Sequence, residues 1–211
     1  QGELEPLNYE HHYVPDTNTG LHSGHDLDNN GDVVSTSGSR AYGNDAYGFG
    51  MYHGQYGMVV YSKYPIRKSE IRSFQEFLWQ EMQDNLMPEQ FYASEEQESM
   101  RLSSKNHVDI PVNVGGRTIH LLASHPTPPS FDGSADRNGR RNHDEIRFWA
   151  DYISNKSYIR DDSGESGGLP ADESFFVVGD LNSDPYDGGS RHDAIEKVIG
   201  HERVAAVEPA S

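Results

Sequence analysis

Four apolar residues, Phe175-Phe176-Val177-Val178, run without interruption into Gly179-Asp180-Leu181-Asn182. A short unbroken apolar run bounded by turn formers is the pattern of a strand buried on both faces, as at the centre of a sheet. No other stretch constrains the fold as much, because such a strand needs a layer on either side. Where it stops, Asp180 and Asn182 are expected on a loop at its C-terminal end, the usual place for ligands and catalytic groups in layered α/β proteins. A carboxylate and a carboxamide two residues apart offer a charge for a metal or a proton and a neutral hydrogen-bonding head. Gly, Asp, Asn, Ser and Pro are also turn formers, so the motif alone reads as a turn or as part of a site.

The remaining elements follow from local pattern. His107–Val114 and Arg117–Ser124 flank Gly115-Gly116, a two-residue turn that supplies the positive φ of a tight hairpin. The second of these strands ends at Ser124-His125-Pro126. Ile146, Trp149, Ala150 and Ile153 form one apolar stripe, which predicts a helix over Asn142–Ser154 with Asn142 as N-cap and Glu145 completing a capping box. A last helix is expected from Ser190 to Gly200. Tyr56–Ser62 reads as a strand ended by Tyr64-Pro65, and His11–Val14 as a short one. Ser94–Ser99 reads as an exposed insertion, and Asp161–Pro170 as a polar connection. Tyr42, Tyr47, Phe49, Tyr52 and Tyr56, set among glycines, either cover an edge of the core or line a cleft.

With 211 residues the chain suits a single domain over 1–211. Its net charge of −17 repels nucleic acid, phosphate and anionic lipid, so an anionic substrate needs a bound cation or a local arginine cluster. With no cysteine there is neither disulfide nor thiolate metal site, and a metal must be held by oxygen or imidazole. Asp26, Asp28, Asn30 and Asp32 place oxygens at alternate positions, with Gly31 sixth in the loop. That spacing is how a chain wraps a structural calcium ion; Ser37 stands where a helix-loop-helix site has Glu, so a last ligand must come from elsewhere. The same residues also read as a solvated turn run. No stretch reaches the length of a membrane span and no signal peptide stands at Gln1. An acidic, cysteine-free composition suits a secreted or periplasmic bacterial protein.

Two apolar strands thus end in Ser124-His125 and in Gly179-Asp180-Leu181-Asn182. A hairpin followed by a strand-helix-strand unit brings such ends side by side, and a His beside an Asp/Asn pair suits phosphoryl transfer. The pattern resembles the endonuclease/exonuclease/phosphatase superfamily: Gly179-Asp180-Leu181-Asn182 corresponds to its Gly-Asp-Phe-Asn, and Ser124-His125 to its Thr/Ser-His strand end. Ser124 to Pro129, Asp136 to Asn142 and Gln55 to Met58 resemble a bacterial, often secreted branch of it.

The resemblance implies an α/β fold, an α+β sandwich of two packed mixed β-sheets flanked by helices in the four layers of a deoxyribonuclease, incomplete at both termini. It implies that Asp180 and Asn182 position the attacking water and help hold divalent magnesium, manganese or calcium, while His125 binds the scissile phosphate or shuttles a proton. Arg140 and Arg141, close in sequence to the His125 loop, are candidate phosphate anchors or ordinary surface arginines. The superfamily's first strand ending in Asn, its metal-ligating Glu and its final Ser-Asp-His have no counterpart in these residues. The expected activity is metal-dependent phosphoester hydrolysis, with a phosphodiester as the first substrate and nucleic acid only one candidate. The alternatives are a phosphomonoesterase on sugar or inositol phosphates and a calcium-stabilised binding domain without catalysis.

Overall fold

A computed structural model describes residues 8–205; what was expected at Gln1 lies outside them. Its strands form two sheets. In the smaller, β1 (His11–Tyr13) pairs antiparallel with β2 (Val60–Ser62). In the larger, β3 (Arg72–Ser73), β4 (His107–Val114), β5 (Arg117–Ser124) and β6 (Ser174–Val178) lie side by side in that order. The helices are α1 (Arg40–Asn44), α2 (Ser94–Ser99), α3 (Arg137–Ile153) and α4 (His192–Ile199). This is the expected α/β class with two sheets and flanking helices. The larger sheet is mixed, and the smaller is an antiparallel ribbon.

The hairpin forms as its sequence dictates. His107 lies opposite Ser124 and Val114 opposite Arg117, with Gly115 and Gly116 at φ +60° and +86°, the two positive angles that match a tight turn to strand twist. From β5 the chain crosses through α3 to β6, which returns parallel to β5, with Ile119 opposite Ser174 and Ala123 opposite Val178. Ile146, Trp149 and Ile153 of α3 are buried in the main core with Leu122, Phe74 and Trp79, and Phe175 and Val177 of β6 pack against it. The polar tips of the buried aromatics are paired: Trp149 Nε1 donates to Ser124 Oγ at 2.8 Å, and the Tyr152 hydroxyl to Asp109 Oδ2 at 2.6 Å. On the opposite sheet face Val108, Ile110, Val112 and Ala123 form a smaller cluster with Tyr13 and Val60 from the ribbon.

Four expectations need correction. β6 is not buried on both faces: it is the edge strand, and Phe176 and Val178 are 59% and 37% exposed. The doubly covered strand is β4, whose His107 and Asp109 are buried; an apolar run reports affinity for a core, but not how many sides of the strand a core reaches. Helix α3 begins at Arg137, five residues before Asn142. Asn142 and Glu145 lie inside it and are fully buried, so their side chains serve other loops rather than a cap. Only Val60–Ser62 of the Tyr56–Ser62 stretch is strand, because Tyr56 sits at φ +63°. α4 starts at His192, two residues after the expected cap at Ser190, and Ser94–Ser99 is a short helix.

His107 shows how the sheet tolerates polarity. It is 1% exposed, with Nδ1 2.6 Å from Ser103 Oγ and Nε2 2.7 Å from the Glu145 carbonyl. That pair of partners fixes a neutral ring whose Nε2–H donates to the carbonyl. Burial pulls its pKa from 6.5 down to about 4. A pKa lower in the folded than in the unfolded state gives stability that is complete above pH 6.5 and falls as the pH drops toward 4. The span corresponds to about 3 kcal/mol. In urea unfolding, the stability advantage of wild type over His107→Gln should therefore shrink by about 3 kcal/mol between pH 7 and pH 4; a constant difference would refute the assignment.

Candidate active site

Since β5 and β6 run parallel as neighbours, their C-terminal ends emerge together. Gly179 makes the close exit feasible: it sits at φ +133°, and a Cβ there would lie 1.9 Å from the Ser124 carbonyl oxygen, so only glycine passes. Beyond it, Asp180 Oδ2 stands 3.8 Å from His125 Nε2. The Asn182 backbone, at φ +50°, donates to Asp180 Oδ1 at 3.1 Å, and Asn182 Nδ2 donates to the Pro126 carbonyl at 3.1 Å. The structure thus brings His125, Asp180 and Asn182 together. The Asp180 side chain is 70% exposed, against 25% for His125.

Helix α3 locks the two loops to each other. Asn142 Nδ2 donates to the Thr127 carbonyl at 2.8 Å, on the His125 loop, and to the Leu181 carbonyl at 3.0 Å, on the Asp180 loop. Glu145 accepts from the Thr127 and Ser104 backbone N–H groups, each at 2.6 Å. Two charge-assisted bonds to a fully buried carboxylate are strong tethers. Together they join the segment before β4 to the loop after β5.

That segment brings a residue that sequence reasoning missed. Lys105, 5% exposed, donates through Nζ to the Pro126 carbonyl at 3.3 Å. Burial lowers its pKa to about 8. Burial, and next the charge of Lys105, also hold His125 below the usual histidine range, against the pull of Asp180. The available signal was register: His107 pairs with Ser124, so a residue two before β4 lies beside one two after β5.

The arginine candidates are placed differently. Arg141 is buried, and it donates to the Leu102, Tyr47 and Arg101 carbonyls. Arg140 donates to the Ala135 and Leu86 carbonyls. Both hold loops together, and Arg141 also lines the cavity beside His125. The alternating acidic run shows features of both of its readings, a last ligand from elsewhere and a turn run. Asp26 and Asp28 gather with Asp45, a residue distant in sequence, with one oxygen of each within 4.8 Å of the others. Asp32 stands outside that group. Asp26 accepts from the Asn30 and Gly31 N–H groups, and Asn30 Oδ1 from the Asp32 N–H, so the run closes as a turn on itself. Burial, then Asp28 and Asp26, raise the Asp45 carboxyl. The aromatic loop divides its roles: Tyr42 is buried, with its hydroxyl on the Gly20 carbonyl, whereas Phe49 and Tyr56 line a cavity of about 380 Å³ that His125 also lines.

A divalent cation fits the chemistry at the strand ends in part. The Asp180 carboxylate and the Asn182 carboxamide oxygen, left free by the bond its amide makes to Pro126, are hard oxygen donors of the kind magnesium takes. Among the described residues Asp180 belongs to no group of three acidic or imidazole donors. Asn142→Ala removes both loop tethers and should cost about 2 kcal/mol in urea unfolding; a loss under about 0.5 kcal/mol would show the tethers to be dispensable.

A family model described as the Endonuclease/Exonuclease/phosphatase family matches residues 8–203. Among solved structures, sphingomyelinase C from Streptomyces griseocarneus is 19% identical over 71% of this chain and 38% of its own, with a TM-score of 0.40. Beta toxin 275-280 from Staphylococcus aureus is 15% identical over 90% of this chain and 49% of its own, with a TM-score of 0.43. The chain thus spans less than half the length of either. No match was found among curated proteins.

Proposed function

This chain belongs to the endonuclease/exonuclease/phosphatase family, and from that premise we propose that it hydrolyses phosphoesters, phosphodiesters first, at the ends of β5 and β6. The observation that carries the reading is the convergence of His125, Asp180 and Asn182 on one edge of the sheet, held there by Asn142. In this reaction the oxygen of a water forms a bond to phosphorus and the bond to the leaving oxygen breaks. A divalent cation held by Asp180 and Asn182 would neutralise phosphate charge. The exposed Asp180 carboxylate orients the water. His125, kept neutral to lower pH by burial and by Lys105, is the imidazole placed to hydrogen-bond a phosphate oxygen or move a proton. Lys105 adds a positive charge where the chain as a whole is negative.

The net charge of −17 favours small phosphoesters over polynucleotides. A secreted or periplasmic location agrees with the composition; no described helix is long and apolar enough to cross a membrane.

Asp180→Ala should abolish metal-dependent turnover of bis(p-nitrophenyl) phosphate, and unchanged turnover would overturn the reading. Faster turnover of p-nitrophenyl phosphate than of the diester would move the assignment to a phosphomonoesterase.

A further inference from the structure

The cavity beside His125 reverses the charge of the protein. Acidic residues outnumber basic ones 34 to 17 in the chain, yet Arg40, Lys105, Arg137 and Arg141 line this space and no Asp or Glu does. Some cations elsewhere are paired, as in Arg72–Asp161 at 2.7 Å, Arg147–Asp151 at 2.9 Å and Arg191–Asp136 at 2.7 Å. None of the four cavity cations makes an ion pair among the described residues. Arg141 is committed to backbone carbonyls. Arg137 makes one bond of 3.3 Å to the Leu27 carbonyl, Lys105 one of 3.3 Å to that of Pro126, and Arg40 rests over the Phe49 ring at 5.6 Å. Lys105 is the telling member: its ammonium is out of water with one long hydrogen bond, and the charge of the buried Glu145 carboxylate favours it without forming an ion pair.

A second, independent feature points the same way. Thr127 is 9% exposed and lines the cavity, and its Oγ1 has no hydrogen-bond partner among the described residues. Buried hydroxyls are nearly always paired, so an orphan on a residue that lines a cavity leaves a hydrogen bond that a polar ligand atom can complete. Around it the walls are aromatic. Phe49, Tyr56 and Phe131 line the space while remaining 40%, 53% and 81% exposed. Tyr56 and Phe131 are held at φ +63° and +66°, a left-handed conformation that bulky side chains rarely adopt and that clusters at functional sites.

We propose that this cavity is a substrate subsite for a small phosphate ester whose organic group is a flat ring. The phosphate meets Lys105 and Thr127, and the ring lies among Phe49, Tyr56 and Phe131, where Arg40 adds charge at the rim. The inference rests on the hydrolase reading of Asp180 and His125, which makes the neighbouring cavity part of a substrate site. About 380 Å³ is the room of a small-molecule pocket rather than of a polymer groove. The positive lining disfavours a quaternary ammonium, which aromatic cages otherwise bind.

Titration calorimetry of the full chain in EDTA tests this with probes that are not hydrolysed. Phenylphosphonate should bind about tenfold more tightly than methylphosphonate, which lacks the ring, and than phosphocholine, which carries a quaternary ammonium. Lys105→Met or Arg40→Gln should weaken phenylphosphonate about tenfold; Arg40 is exposed, so its replacement leaves the fold out of the comparison. Asp180→Ala, which removes a negative charge near Lys105, should not weaken this binding. Equal affinity for phenylphosphonate and either comparison compound, or affinity unchanged in both cation variants, overturns the subsite. If Asp180→Ala leaves turnover unchanged while the cation variants weaken binding, the hydrolase reading falls and the anion pocket stands. If turnover is lost in Asp180→Ala but phenylphosphonate does not bind, the reverse holds.

Discussion

Because β6 runs parallel to β5, with Leu121 opposite Phe176 and Ala123 opposite Val178, two loops separated by more than fifty residues leave the sheet at the same edge. Every feature of the site depends on that pairing. It requires a crossover, which α3 supplies, and a chain path at Gly179 that presses against the Ser124 carbonyl. The hydrogen-bonded ladder fixes the spacing of the strands, so His125 and Asp180 meet without any long side chain having to reach.

Helix α3 turns that edge into a defined site. Arg141 through Glu145 are five consecutive polar residues, all buried. A helix buried around its whole circumference by polar groups is stable only when each group finds a partner. Here the partners are the loops. Asp144 accepts from the Trp79 indole and the Leu86 N–H, Glu145 from Ser104 and Thr127, and Asn142 donates to the loops after β5 and β6. Segments without secondary structure are thereby held by a rigid element, which is how a loop-built site gains definition. The Asn142 carbonyl oxygen is the exception, since it remains unpaired among the described residues.

Charge is arranged locally against the global balance. The protein repels anions at a distance, while Lys105 and the cavity arginines attract one at close range. A salt-screened global field and an unscreened local one act on different lengths, so the two differ in sign without conflict.

The hairpin, the crossover and the Gly179-Asp180-Leu181-Asn182 turn were legible because each is written in adjacent residues: alternation and a Gly-Gly pair for the first, an apolar stripe for the second, a glycine-bounded strand end for the third. The start of α3 was not, because polar residues at Arg137–Glu145 look exposed to any reading by hydropathy and become buried only once the loops arrive to satisfy them. The partners of Arg140 and Arg141, candidate phosphate anchors by sequence, were equally hidden: the structure shows several of their donors on backbone carbonyls of other segments.

Asp45 and Lys105 were invisible, since each earns its place by tertiary approach: one joins Asp26 and Asp28 from a distant segment, and the other lies along the β4–β5 register beside Pro126. The exposure of Phe176 is likewise a property of what packs on its face of the sheet, not of the strand itself. The sequence alone determined which strands form and which chemical groups stand at their ends, because propensity, turn chemistry and apolar periodicity act between near neighbours. Tertiary structure decided which polar groups are buried, which cations go unpaired and which face of a strand is covered, because desolvation and pairing depend on what the rest of the chain brings alongside.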